Sequence, residues 1–127
     1  MSVIGIGTDI IDSNRIAEMT PAMRDKLAKR VLTPVELQTY ASKKDSSEFL
    51  AKRWAAKEAA AKALGTGIAA GVSFQHFEIT NLPSGAPQLT LSGEALDKAH
   101  SLGANTWHIS LADDQHLATA FVILSAS

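Results

Sequence analysis

From Val3 to Ile11 the chain alternates: Ile4, Ile6, Thr8 and Ile10 fall on one face of a predicted strand, and Val3, Gly5, Gly7 and Asp9 on the other. Glycines on the second face let another backbone come close, and they leave the Asp9 carboxylate uncrowded at the strand's end. The period then lengthens. Asp12 or Ser13 caps a short helix carrying Asn14, Arg15, Ile16 and Met19. Thr20-Pro21 opens a second helix to about Val31, with Met23, Leu27 and Val31 as its apolar stripe. Thr33-Pro34-Val35-Glu36 is a capping box that starts a third, to about Tyr40. Positions 41–47 are polar and loop-like, and Ser46 or Ser47 begins a long helix that runs through Phe49 to Leu64.

Beyond Gly65, Gly67 and Gly71 the pattern changes to strands. Gln75 to Thr80 pairs with Pro87 to Leu91 across a Pro-Ser-Gly turn, and Ser92 caps a helix from Gly93 to Leu102 that ends on Gly103. Thr106 to Leu111 alternates, with Trp107, Ile109 and Leu111 opposite His108 and Ser110. Residues Asp113 to His116 read as a turn, and Leu117 to Leu124 returns as an apolar, β-branched strand. The predicted class is α+β: an antiparallel sheet packed against a long central helix with additional short helices, in one domain over residues 1–127.

Composition narrows the function classes. The chain is 46% hydrophobic but only 6% aromatic, so its core is aliphatic and alanine-rich and has more to gain from association with other copies. A net charge of −1 excludes bulk attraction to nucleic acid. Cysteine is absent, which removes disulfides, thiolate metal sites and a thiol nucleophile. No signal peptide or membrane-spanning run is legible, so an intracellular, cytoplasmic domain is expected.

Few residues remain for chemistry. On the long helix, Phe49, Ala56, Ala60 and Leu64 share one arc, and Arg53 and Lys57 lie inside it, where a structural helix prefers apolar groups. Glu58 lies on another face with Lys62 one turn later; the two form either a surface pair or part of a cleft left open by the surrounding alanines. Gly65-Thr66-Gly67 caps the helix and could also bring backbone N–H groups and a hydroxyl to a phosphate. Asp9 either caps the next element or joins Glu58 as a second oxygen ligand for Mg²⁺. His108 is a structural strand histidine or a ligand contact, while His76 and His100 have no metal-ligand spacing. Arg15, Arg24, Lys26, Lys29 and Arg30 make a basic stretch, either a solvated face or a docking site for an acidic partner.

Three blocks in order resemble the holo-[acyl-carrier-protein] synthases. Gly5-Ile6-Gly7-Thr8-Asp9-Ile10 with Arg15-Ile16 is similar to that family's N-terminal signature. The run Phe49-Leu50-Ala51-Lys52-Arg53-Trp54-Ala55-Ala56-Lys57-Glu58-Ala59-Ala60-Ala61-Lys62-Ala63-Leu64-Gly65-Thr66-Gly67 resembles its central motif. Pro87, Leu89, Leu91, Gly93 and Ala95, then His108-Ile109-Ser110-Leu111, resemble its later blocks. The resemblance implies the 4′-phosphopantetheinyl transferase-like fold. It implies Mg²⁺-dependent transfer of 4′-phosphopantetheine from coenzyme A to a serine of apo acyl carrier protein, releasing 3′,5′-ADP and supporting fatty acid biosynthesis.

By position, the resemblance makes Asp9 and Glu58 the metal ligands and, with Lys62, the catalytic set. Arg53, Lys57 and Lys62 would hold phosphates, and Gly65, Thr66, His108 and Ser110 fall in blocks that bind coenzyme A. Arg15, Arg24, Lys26 and their neighbours would meet the acidic carrier protein, and a homotrimer with active sites between subunits is implied. Where many relatives carry a second histidine near the last hairpin, this chain has Ala112-Asp113-Asp114, so no role of that histidine transfers. The proton acceptor stays open among a coordinated water, Glu58 and Asp9. Two rival functions are a Mg²⁺-dependent hydrolase of a nucleotide diphosphate and a non-catalytic module that binds an acidic protein.

Overall fold

The computed structural model describes residues 1–127. In chain order its elements are β1 (Ser2–Asp12), α1 (Ser13–Ala17), α2 (Pro21–Val31), α3 (Pro34–Ser42), α4 (Ser46–Ala63), a 3₁₀ turn (Phe74–His76), β2 (Phe77–Asn81), β3 (Pro87–Leu91), α5 (Gly93–Ser101), β4 (Thr106–Asp114) and β5 (Leu117–Ala126). The α+β class holds, but the strands form two sheets rather than one: an antiparallel β1-β5-β4 sheet and a β2-β3 hairpin.

The caps expected at α1, α2 and α3 form, Asp45 caps α4 ahead of Ser46, and Ser92 sits at the N-cap of α5 without a side-chain hydrogen bond. Asp12 accepts from the Asn14 amide, Thr20 from Met23 and Asp45 from Ser47, while Thr33 and Glu36 complete a reciprocal capping box. α3 reaches Ser42 and α4 begins at Ser46, so the expected 41–47 loop shortens to three residues, Lys43 to Asp45.

The three-stranded sheet lies on α4. Along β5, Ala118, Ala120, Val122 and Leu124 point into the core, and all seven alanines of α4, from Ala51 to Ala63, are buried. β1 comes closest. A Cβ on Gly5 would sit 2.1 Å from the Ala63 carbonyl oxygen, and one on Gly7 would sit 1.9 Å from that of Ala59. The two glycines therefore exist for contact with a helix backbone, which only a hydrogen at that position permits.

Some expected boundaries move. A register shift between Val3 and Gly5 exchanges the faces of the first residues: Val3 is 66% exposed, while Ile4 packs against the core. The strand expected from Gln75 starts at Phe77, because Ser73 caps a 3₁₀ turn first. β4 continues through Asp113 and Asp114, which pair with Ala118 and Leu117. The expected four-residue turn contracts to Gln115 and His116, with Gln115 in the left-handed region at φ 55°.

Candidate active site

β1 delivers Asp9 to the flank of α4. With Gly5 and Gly7 pressed on Ala63 and Ala59, the next residue of that face is Asp9, and its Oδ1 accepts from Lys62 Nζ at 2.8 Å. The same ammonium donates to the Thr8 carbonyl at 3.1 Å. The Lys62 side chain is half exposed and Asp9 largely covered, at 52% and 18%. Glu58 sits one turn before Lys62 on the same flank, partly buried and outside every ion pair. The expected alternative of a Glu58–Lys62 surface pair is thus replaced by Lys62–Asp9. Just beyond, Gly65 and Gly67 take φ of 80° and 61° at the exit of α4, and the Thr66 hydroxyl donates to the Gly67 carbonyl at 2.8 Å. Asp9 and Lys62 are in contact at the strand–helix edge with Glu58 one helical turn away, and Gly65 and Thr66 follow at the exit of the helix, on the side of Gly5 rather than of Asp9.

Lys57 does not belong to it, which corrects the expectation that it holds a phosphate. Its side chain has no exposure, and its ammonium donates to the carbonyls of Val31 (2.6 Å) and Phe74 (3.2 Å) and to Glu36 Oε1 (2.6 Å). Three donors meet three acceptors, so nothing is left for a ligand. Glu36 is as completely used: Oε1 also accepts from the Thr33 amide, and Oε2 from Ile79 N–H, both at 2.8 Å. Burial pulls the Lys57 pKa below the ordinary lysine value, while Glu36 pushes it back up. The pair ties α2, α3, α4, the 3₁₀ turn at Phe74 and the middle of β2 to one point. The capping box made Glu36 legible as a cap, but nothing local announced Lys57 as its second partner.

Arg53 lies on the same side of α4 as Lys57, about 140° around the helix from Glu58. It is 8% exposed, with its guanidinium carbon 4.8 Å from the centroid of the Phe49 ring and its Nε without a hydrogen-bond partner. It lines a cleft of about 530 Å³ between α3, the first turns of α4 and β2, together with Lys43 and Lys52. His108 and Ser110 stand apart again. Trp107, Ile109 and Leu111 pack toward the core, so His108 and Ser110 project from the opposite face of the sheet, away from Asp9. Within one chain the expected site residues thus occupy three separate places.

The basic stretch also divides. Arg15 and Lys26 are exposed, whereas Arg24 turns inward and donates to the Ala17 and Met19 carbonyls at 3.3 and 3.5 Å. Both bonds use one nitrogen, so Arg24 steadies the end of α1 while its charge stays, half-buried and without an ion-pair partner, at the edge of the basic stretch. No helix is long and apolar enough to cross a membrane.

Comparison with known proteins identifies the family and the fold. Residues 5–120 match the model of the 4′-phosphopantetheinyl transferase superfamily. The holo-[acyl-carrier-protein] synthase of Shewanella woodyi is 51% identical over 98% of this chain and 99% of its own. The crystal structure of the Neisseria meningitidis holo-[acyl-carrier-protein] synthase superposes with a TM-score of 0.86 at 38% identity, covering 98% of this chain and 99% of that one. The Bacillus anthracis holo-(acyl-carrier-protein) synthase, solved in complex with CoA (3′,5′-ADP), gives 0.81 at 38% identity and 98% coverage of both chains.

Proposed function

The chain belongs to the 4′-phosphopantetheinyl transferase superfamily, among the holo-[acyl-carrier-protein] synthases, and on that premise we propose how it works. It moves 4′-phosphopantetheine from coenzyme A to a serine hydroxyl of apo acyl carrier protein. It does so in the cytoplasm as a single domain, with Mg²⁺, releasing 3′,5′-ADP and supplying carrier protein for fatty acid synthesis. The observation that carries this reading is the juxtaposition at the β1–α4 edge of Asp9, Lys62 and, one turn away, Glu58.

The donor set there suits Mg²⁺. Asp9 and Glu58 offer hard oxygen ligands, and no third Asp, Glu or His converges to complete a protein cage. An ion that takes one or two carboxylates and fills its shell with phosphate oxygens and water needs no more. Bound there, Mg²⁺ would neutralise charge on the diphosphate of coenzyme A. Lys62, half exposed beside Asp9, adds a mobile point charge that can move from the carboxylate to a phosphate oxygen. Gly65 and Thr66 follow Lys62 at the exit of α4 and would bring backbone N–H groups and a hydroxyl to the coenzyme. Arg53 would offer its guanidinium to the nucleotide from a second cleft, where Lys43 and Lys52 are balanced by Glu36, Asp45 and Glu48.

The distance between His108 and this edge within one chain favours a homotrimer whose sites lie between subunits. The outer face of the β1-β5-β4 sheet supports it, since Ile6, Ile10 and Phe121 are 60%, 59% and 49% exposed there. A neighbouring copy covering that face would bring His108 and Ser110 to another chain's Asp9 and Glu58. Carrier protein docks through the exposed charges Arg15 and Lys26.

The test is to incubate the protein with coenzyme A, Mg²⁺ and apo carrier protein, then weigh the products. A carrier-protein gain of one phosphopantetheine is expected. Cleavage of coenzyme A without that gain would make the chain a hydrolase, and binding with neither would make it a docking module.

A further inference from the structure

His108 does not project freely: its Nε2 lies 3.3 Å from Ser125 Oγ, a hydroxyl on β5 that is 3% exposed. Two more contacts fix where the protons are. Thr106 Oγ1 is 3.2 Å from the Ser125 carbonyl oxygen and 2.6 Å from Ser125 Oγ. A carbonyl only accepts, so the single Thr106 proton goes to the Ser125 carbonyl. The Ser125 hydroxyl proton then fills the short contact, donating to Thr106 Oγ1. Ser125 Oγ is left as an acceptor, and it takes its hydrogen bond from His108 Nε2–H. This is the one assignment of protons that satisfies all three contacts. In the neutral ring Nδ1 is therefore the unprotonated nitrogen, and it is the one that no other group of the chain engages.

We infer that Ser125, held by Thr106, is a positioning residue that fixes the ring and tautomer of His108, so that Nδ1 is the nitrogen presented to coenzyme A. The inference rests on the reading above that His108 contacts coenzyme A. The ring stands where this matters, between a cleft of about 490 Å³ separating β3 from β4 and the open face around Phe121 and Ile123. A ring free to turn presents either nitrogen. A ring anchored through Nε2 presents one, in a fixed direction, and loses less freedom when the ligand arrives.

The tautomer can be read directly from the ¹⁵N shifts of the His108 ring in the intact protein, above the pH at which the ring is protonated. Wild type is expected to show the Nε2–H form, Ser125→Ala a mixture, and Ser125→Thr, which keeps the oxygen, the wild-type pattern. Coenzyme A affinity should fall about 3- to 10-fold in Ser125→Ala, the worth of one hydrogen bond, with kcat little changed. No further fall should follow when Ser125→Ala is added to His108→Ala. An unaltered tautomer in Ser125→Ala overturns the positioning role while His108 stays in the site. A shifted tautomer with unaltered affinity in His108→Ala overturns the placement of His108 at coenzyme A, and with it any ligand for which the ring is held.

Discussion

Glu58 and Lys57 are adjacent in the chain and opposite in surroundings. Glu58 is partly exposed with no ion-pair partner, so Glu58→Gln removes a ligand charge and little else. The variant is expected to keep its melting temperature and lose transfer at limiting Mg²⁺, checked by titrating the metal against the carrier-protein mass gain. Full activity at low Mg²⁺ would remove Glu58 from the metal site. Lys57 should behave in the reverse sense. Lys57→Met leaves Glu36 buried without its cation and should cost about 3–5 kcal/mol in denaturant unfolding. Changing both Lys57 and Glu36 to apolar residues should cost less than the sum of the single changes, because neither charge is then left alone. Additive costs would mean the two side chains do not sense one another.

At the scale of elements, the glycines separate two requirements that look alike in a sequence. Gly7→Ala places a Cβ 1.9 Å from a helix carbonyl, so β1 must lift off α4 and take Asp9 with it. A stability loss at the top of the ~1–3 kcal/mol overpacking range, or beyond it, is expected, with weakened transfer. Gly65→Ala meets nothing within 4 Å and is strained only by its φ of 80°, which costs about 1–2 kcal/mol. Thermal unfolding of the two variants should rank them in that order; equal losses would say that β1 yields easily. Most of this layer was legible. Alternation gave β1 and β4, an apolar β-branched run gave β5, capping residues gave the first helix starts, and the glycine face announced a close neighbour. What was not legible depended on contacts between remote segments. The shift at Val3–Gly5 needs the register with β5, the division into two sheets needs the gap between β3 and β4, and the fate of Arg53 and Lys57 needs α3 beside them. A helical wheel shows two cations in an apolar arc; it does not show the carboxylate that answers one of them.

For the whole molecule, the division of the expected site into three places is the central fact. It was invisible in the sequence, where residues are ordered by number and not by the side of a sheet they occupy. If neighbouring copies complete each site, Phe121→Glu should place a charge in the contact and yield a monomer by light scattering, with transfer lost although Asp9 and Glu58 are untouched. A trimer with normal activity would separate assembly from the apolar face. Mixing subunits tests the same point from the other side. Glu58→Gln and His108→Ala proteins, each impaired, should regain part of the activity when refolded together, because some interfaces then carry both intact residues.

The Lys57 ammonium also makes the chain its own probe of opening. Lysine-directed acylating reagents require an accessible, unprotonated amine, and Lys57 has neither exposure nor a free donor while α2, α3, α4 and the turn at Phe74 remain docked. Lys62 and Lys26, at the surface, should label within the first moments of exposure to reagent. Lys57 should acquire label only as often as the whole assembly of helices comes apart, so its labelling rate, read by peptide mass, counts complete unfolding events under native conditions.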